Sequence, residues 1–166
     1  MNTEILKRLL AFVLLCLVQA LILNRIRLFG FATPLLPVYF VITFHRGYPK
    51  WAILLWSFLL GLSLDTFSNT PGVTAAAMTF VALLQPYILE PFVPRDSADD
   101  LKVSIRSLGL GKFATLSFIL VFVYILVFFS LEAFNFYNWQ QWLMCVVGST
   151  ALTYLFILVI ENLRSK

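Results

Sequence analysis

The chain has 166 residues, 61% of them hydrophobic and only 12% charged, with a net charge of +4 and a mean hydropathy of +0.92. A soluble domain carries about a quarter charged residues and roughly 45–50% apolar ones, so neither a water-soluble globule nor a disordered chain accommodates this composition. The positive charge does not point to nucleic acid, because Lys and Arg accumulate in the cytoplasmic loops of membrane proteins; residues 1–166 read as one multi-span membrane domain.

A helix that crosses the hydrocarbon needs about 20 apolar residues. Six runs qualify, at 5–23, 28–44, 51–67, 72–92, 113–134 and 140–160. Barrel strands would alternate in polarity over about 10 residues, and Leu9-Leu10-Ala11-Phe12-Val13-Leu14-Leu15 does not alternate. The expected fold is therefore all-α, an integral membrane protein of six transmembrane helices. Lys7 and Arg8 near the start of the first run, and Val18-Gln19-Ala20 further along it, are features of a cleavable signal peptide. The run continues through Ile22 and Leu23, as an uncut anchor does.

The second run is broken by Thr33-Pro34-Leu35-Leu36-Pro37. Proline disrupts a helix interior but suits a first turn. Pro34 and Pro37 therefore mark either a simple kink or an interrupted helix. In the second case Thr33 caps a helix over 34–45, only about 18 Å long, and residues 24–32 form an outer loop dipping into the membrane. Short, interrupted spans can mark binding sites.

The third run ends in Gly61-Leu62-Ser63-Leu64-Asp65, followed by Thr66-Phe67-Ser68-Asn69-Thr70-Pro71-Gly72. Asp65 lies roughly 21 Å along the helix from Trp51, a depth at which a carboxylate needs a partner. Ser68, Asn69 and Thr70 are candidate caps for the fourth helix, and Pro71 fits its first turn. The free N–H groups at that helix start would welcome Asp65. Gly61 and Gly72, with Ala75, Ala76 and Ala77, allow close helix approach. Asp65 is open to three roles: a structural clamp on the hairpin, a contact to a partner subunit, or a ligand for an ion or small molecule.

In the fourth run Pro86 predicts a bend, and Glu90 reaches headgroup depth or pairs with Arg95. The following loop, 94–112, predicts a short interfacial helix capped by Asp96 or Ser97, with Asp99 and Asp100 in its first turn. Leu101, Ile105 and Leu108 form its apolar face, and Lys102 and Arg106 stand one turn apart. Such a helix docks on lipid or offers a site to a cytoplasmic partner. Beyond the fifth run, Phe136, Tyr137, Trp139 and Trp142 crowd the turn to the sixth, as aromatic rings do at headgroup depth. Tyr48 and Trp51 flank the other membrane edge.

Orientation follows from the basic residues. With both termini cytoplasmic, ten of them face inward: Lys7, Arg8, Arg46, Lys50, Arg95, Lys102, Arg106, Lys112, Arg164 and Lys166. Only Arg25 and Arg27 face outward, and the opposite orientation would reverse that ratio against the positive-inside rule.

Catalytic chemistry is hard to assemble. The single histidine, His45, sits beside Arg46 at a membrane edge, and no zinc-ligand cluster, GxSxG, P-loop or HExxH occurs. Asp65 and Glu90 fall near opposite faces and do not form a carboxylate pair. Cys16 and Cys145 lie within apolar runs and read as packing residues. The expectation is a non-enzyme with no cofactor and no metal.

Gly61-x-x-x-Asp65, a short outer loop, Pro71-Gly72 and a run of small residues resemble the bacterial rod-shape-determining MreD family. The paired prolines Pro34 and Pro37 early in the second span, the six tightly spaced spans and the chain length fit the same layout. The specific part of the likeness is confined to roughly residues 57–80, and the residue between proline and glycine that the family pattern suggests is missing here. The resemblance implies a non-catalytic inner-membrane component of the cell-elongation machinery. It would bind MreC, a single-span protein with a large external domain, and work with MreB, RodA and the penicillin-binding partner of RodA in peptidoglycan synthesis. The implied fold is similar to the substrate-binding subunits of energy-coupling-factor transporters. A vitamin-binding transporter subunit is accordingly the alternative, with a pocket near Asn24, Arg25, Arg27, Asp65 and Asn69.

Overall fold

The computed structural model describes residues 2–22, 25, 35–45, 47–69, 72–96, 103, 105–133 and 139–165. Among these, all regular structure is helical: α1 (Asn2–Leu21), α2 (Pro37–Ile42), α3 (Lys50–Ser68), α4 (Val73–Leu89, extended by a 3-10 turn over Glu90–Phe92), α5 (Ile105–Leu108), α6 (Leu110–Ala133) and α7 (Trp139–Ser165). Four of them are long and apolar enough to cross a membrane: α3, α4 with its 3-10 extension, α6 and α7. Helix α1 has comparable length but carries Glu4, Lys7 and Arg8 in its first two turns.

The distribution of polarity supports immersion in lipid. Large apolar side chains cover the outside, among them Leu10, Leu14, Phe67, Val147 and Leu155. Gln19, Ser57, Asp65, Gln85, Thr153 and Glu161 are buried inside. Water would drive the opposite arrangement, whereas a membrane leaves polar groups seeking one another in the bundle interior. Helix α1 shows this on its own: Leu6, Leu10, Leu14, Leu17 and Leu21 point outward, while Cys16 and Gln19 are buried.

Helices α3 and α4 form an antiparallel hairpin, α4 also packs on α6, and α6 pairs with α7. At the centre lies α2, every residue of which is buried, in contact with α1, α3, α4 and α6. The helical part of the second run is shorter than the sequence predicts. It begins at Pro37 and spans six residues, about 9 Å. Proline has no N–H and its ring clashes with the preceding turn, so a helix cannot run back through Pro37 but starts on it readily. Thr33 and Pro34, the expected cap and first residue, lie outside the described residues.

The interfacial helix also differs from expectation. Among the described residues of 94–109 only Ile105–Leu108 is helical, and it contacts α6 and α7. Leu108 is buried and Ile105 packs against the core, leaving Arg106 exposed. The apolar face is thus used within the protein. Leu101 and Lys102, with Ser97, Asp99 and Asp100, lie outside the described residues.

Candidate functional site

Two polar constructions stand out in the apolar bundle. The first joins α3 to the start of α4. Gly61 and Asp65 are one turn apart on α3, so both face α4. At Gly61 the approach is backbone to backbone: a Cβ placed there would stand 2.5 Å from Ala75 Cα and 2.8 Å from Ala75 N. Only glycine permits this separation.

One turn further, Asp65 is 5% exposed. Its Oδ1 accepts the Thr74 N–H at 2.8 Å and its Oδ2 accepts the Ala75 N–H at 3.0 Å. Thr74 and Ala75 are the second and third residues of α4, whose N–H groups have no partner within their own helix. The carboxylate therefore caps α4 from another helix. Each hydrogen bond to a charged group contributes about 1.5–3 kcal/mol, and the positive end of the α4 dipole favours the same charge.

The local caps expected from the sequence do not form as predicted. The N-cap of α4 is Gly72, at φ 81, and it makes no side-chain capping bond. Asn69 instead ends α3 in the left-handed conformation at φ 61, with its N–H on the Asp65 carbonyl. Asparagine tolerates that conformation better than most residues. At Gly72 the left-handed φ itself demands glycine, since a Cβ there would meet nothing within 4 Å. Thr70 and Pro71 lie outside the described residues.

The second construction holds α2. A six-residue helix leaves nearly all its terminal N–H and C=O groups unpaired, and a bilayer interior offers no water to them. Side chains from three helices supply the partners. The Leu35 N–H donates to Thr153 Oγ1 of α7 at 2.9 Å, and the Leu36 N–H to Gln19 Oε1 of α1 at 3.1 Å. Beyond the far end, Gln85 Nε2 of α4 donates to the Phe44 carbonyl at 3.3 Å.

Midway, the Tyr39 hydroxyl donates to Glu161 Oε2 at 2.7 Å and accepts from Arg164 Nη1 at 3.3 Å. Glu161 is 1% exposed and lies 3.7 Å from Arg164; its Oε1 has no hydrogen-bond partner. Arg8 of α1 completes the surroundings, with its guanidinium 4.2 Å from the Phe44 ring centroid and 4.7 Å from that of Tyr48. Such cation–aromatic contacts contribute about 0.5–2 kcal/mol.

Sequence reading did not single out Thr153 or Glu161. The available signal was Glu161 itself, a carboxylate placed directly after the apolar run that ends at Ile160. A measurement separates its two roles. Gln in its place keeps an oxygen to accept the Tyr39 O–H and removes a buried charge with one unpartnered oxygen. A neutral amide is much less costly to bury than a carboxylate, so Glu161→Gln is expected to change unfolding stability in mixed micelles by less than about 1 kcal/mol. Glu161→Leu strands the Tyr39 hydroxyl and is expected to cost about 1–3 kcal/mol. Equal losses in both variants would show that the charge, through Arg164, carries the contact.

The two constructions do not merge into a reactive centre. Asp65 sits at the start of α4, and Glu90 follows its last residue at the other end. Pro37 opens α2, while α5, which holds Ile105 and Arg106, packs against α6 and α7. What the arrangement does chemically is fix backbone: it locks one hairpin and suspends one short helix. No protein-family model matches the chain, and no curated protein or solved structure is detectably similar to it.

Proposed function

We propose that this protein is a non-catalytic scaffold of the bacterial cell-elongation machinery, acting as MreD-family proteins do. In this reading the chain crosses the inner membrane six times with both termini in the cytoplasm. The first crossing is α1, and the apolar run that contains α2 is the second. The protein binds an MreC-like single-span partner and holds it beside RodA and its penicillin-binding partner, while its cytoplasmic loops face MreB.

One observation carries the reading. Two of the residues that carry the family resemblance, Gly61 and Asp65, form a backbone-level clamp on α4. A rigid hairpin with an exposed apolar outer face, including Leu62 and Phe67, suits lateral contact with a membrane-spanning helix, because helix association in lipid depends on a fixed surface rather than on the hydrophobic effect.

Affinity purification of the tagged protein in mild detergent, with mass spectrometry of what accompanies it, tests the proposal. Recovery of a single-span MreC-like protein is the expected result. Recovery of a transporter ATPase module or a bound vitamin in its place would overturn the scaffold in favour of a transporter subunit.

A further inference from the structure

At the end of the α3–α4 hairpin remote from Asp65, a cavity of about 380 Å³ opens between the turn after α2, the first turn of α3 and the end of α4. His45, Tyr48, Lys50, Gln85, Pro86 and Glu90 line it. Its volume falls in the range of small-molecule sites, about 300–1,000 Å³. Its charge pattern is unusual for a bundle end. Lys50 and Glu90, of opposite sign, share the cavity, yet neither forms an ion pair with the other or with any described residue. Lys50 rests its ammonium 4.5 Å over the Tyr87 ring, and Glu90 does not pair with Arg95 as its sequence position suggests. A cavity lined by both a cation and an anion fits a ligand that carries both.

Depth identifies the kind of ligand. Lys50 is the first residue of α3, and Glu90 lies in the 3-10 extension of α4, both helices of membrane-crossing length. The cavity therefore sits where two crossings end. Trp51 and Tyr87 beside it are 70% and 58% exposed, as amphipathic rings are at headgroup level. A phosphodiester would meet the Lys50 ammonium and the His45 ring. A primary ammonium would meet the Glu90 carboxylate, to which it can donate several charge-assisted hydrogen bonds. A quaternary choline has no such donors, and a glycerol headgroup brings no cation for Glu90.

We infer that this cavity is a binding site for the headgroup of an aminophospholipid, phosphatidylethanolamine. The same headgroup chemistry exists free in water as glycerophosphoethanolamine. The site takes the membrane lipid because the cavity opens at the bilayer edge, the depth at which lipid headgroups lie.

Native mass spectrometry of the delipidated full chain in detergent, titrated in turn with phosphatidylethanolamine, phosphatidylglycerol and phosphatidylcholine, tests this. The expected result is one tightly bound phosphatidylethanolamine, preferred about tenfold over the other two lipids. Glu90→Gln is expected to reduce that preference to less than about twofold. Lys50→Gln is expected to weaken phosphatidylethanolamine and phosphatidylglycerol alike. Both residues are exposed, and circular dichroism confirms that each variant is folded before it is compared. Equal affinity of the wild type for the three lipids, or an unaltered preference in Glu90→Gln, would overturn the site. Complete displacement of the lipid by equimolar glycerophosphoethanolamine would overturn the lipid as its occupant.

Discussion

Asp65→Ala is expected to destabilise the protein by about 3 kcal/mol, at least as much as any other loss of a single polar side chain. The variant deletes the acceptor for the Thr74 and Ala75 N–H groups, each bond being a charge-assisted one of about 1.5–3 kcal/mol. Relief of the desolvation of a buried carboxylate offsets part of that loss, which places the expected value near the lower bound for two bonds. Asp65→Asn keeps one acceptor oxygen and presents an amide N–H₂ to the other donor, so about half the loss is expected. Reversible unfolding of the purified protein in mixed micelles reads both values. A wild-type transition in Asp65→Ala would mean that the start of α4 is held by its packing alone.

Gly61→Val gives the second large effect, through sterics. Even a Cβ at Gly61 stands 2.5 Å from Ala75 Cα, 2.8 Å from Ala75 N and 2.9 Å from the Thr74 carbonyl oxygen. All three are backbone atoms, so no side-chain rotation relieves the clash. Overpacking in a core typically costs about 1–3 kcal/mol, and a rigid neighbour puts Gly61→Ala at the upper end and Gly61→Val beyond it. The two sites are coupled. Pushing α4 away at Gly61 also stretches both Asp65 hydrogen bonds, which lie one turn along the same face. The double variant Gly61→Ala with Asp65→Ala is therefore expected to lose less than the sum of the single losses, by about 1 kcal/mol or more, as contacting residues do in such cycles. Strict additivity would show that the glycine contact and the carboxylate cap are independent.

Much of the helical frame was legible in the sequence. The runs expected at 51–67, 72–92, 113–134 and 140–160 correspond to α3 (Lys50–Ser68), α4 with its 3-10 turn, α6 (Leu110–Ala133) and α7 (Trp139–Ser165). Long apolar runs carry their own signal, since their composition alone decides the solvent they need. Helix α7 continues past Ile160 because Glu161, Asn162 and Arg164 are compatible with a helix leaving the bilayer. Gly61 and Asp65 were legible for a related reason: a glycine and a carboxylate at i and i+4 in an apolar helix are each costly there, and the same helix face brings them together. That Asp65 would meet the free N–H groups at the start of α4 was legible as well; the identity of the cap was not, because Gly72, rather than a side chain of residues 68–70, occupies the N-cap of α4.

Helix α2 was less legible. Two prolines three residues apart allow a kink or a fresh start, and the choice depends on whether partners exist for the exposed N–H groups. Those partners, Gln19 and Thr153, come from α1 and α7, the latter 118 residues away in sequence. Glu161 meets Tyr39 across 122 residues, and in the sequence it resembles the first polar residue of a tail. Contacts of this kind leave no periodic trace. The loop helix shows the converse limit. Ile105 and Leu108 were recognisably apolar on one face, but periodicity does not distinguish a face turned to lipid from one turned to α6 and α7.

The measurement that bears most directly on the scaffold reading compares tagged wild-type protein with Gly61→Ala, matched for folded amount, in parallel affinity purifications from the native membrane. The wild type is expected to bring down a single-span MreC-like protein, and Gly61→Ala, with its hairpin forced apart, at least several-fold less of it. A wild-type purification that contains no such protein, or equal recovery by both chains, would contradict a scaffold that works through the α3–α4 hairpin.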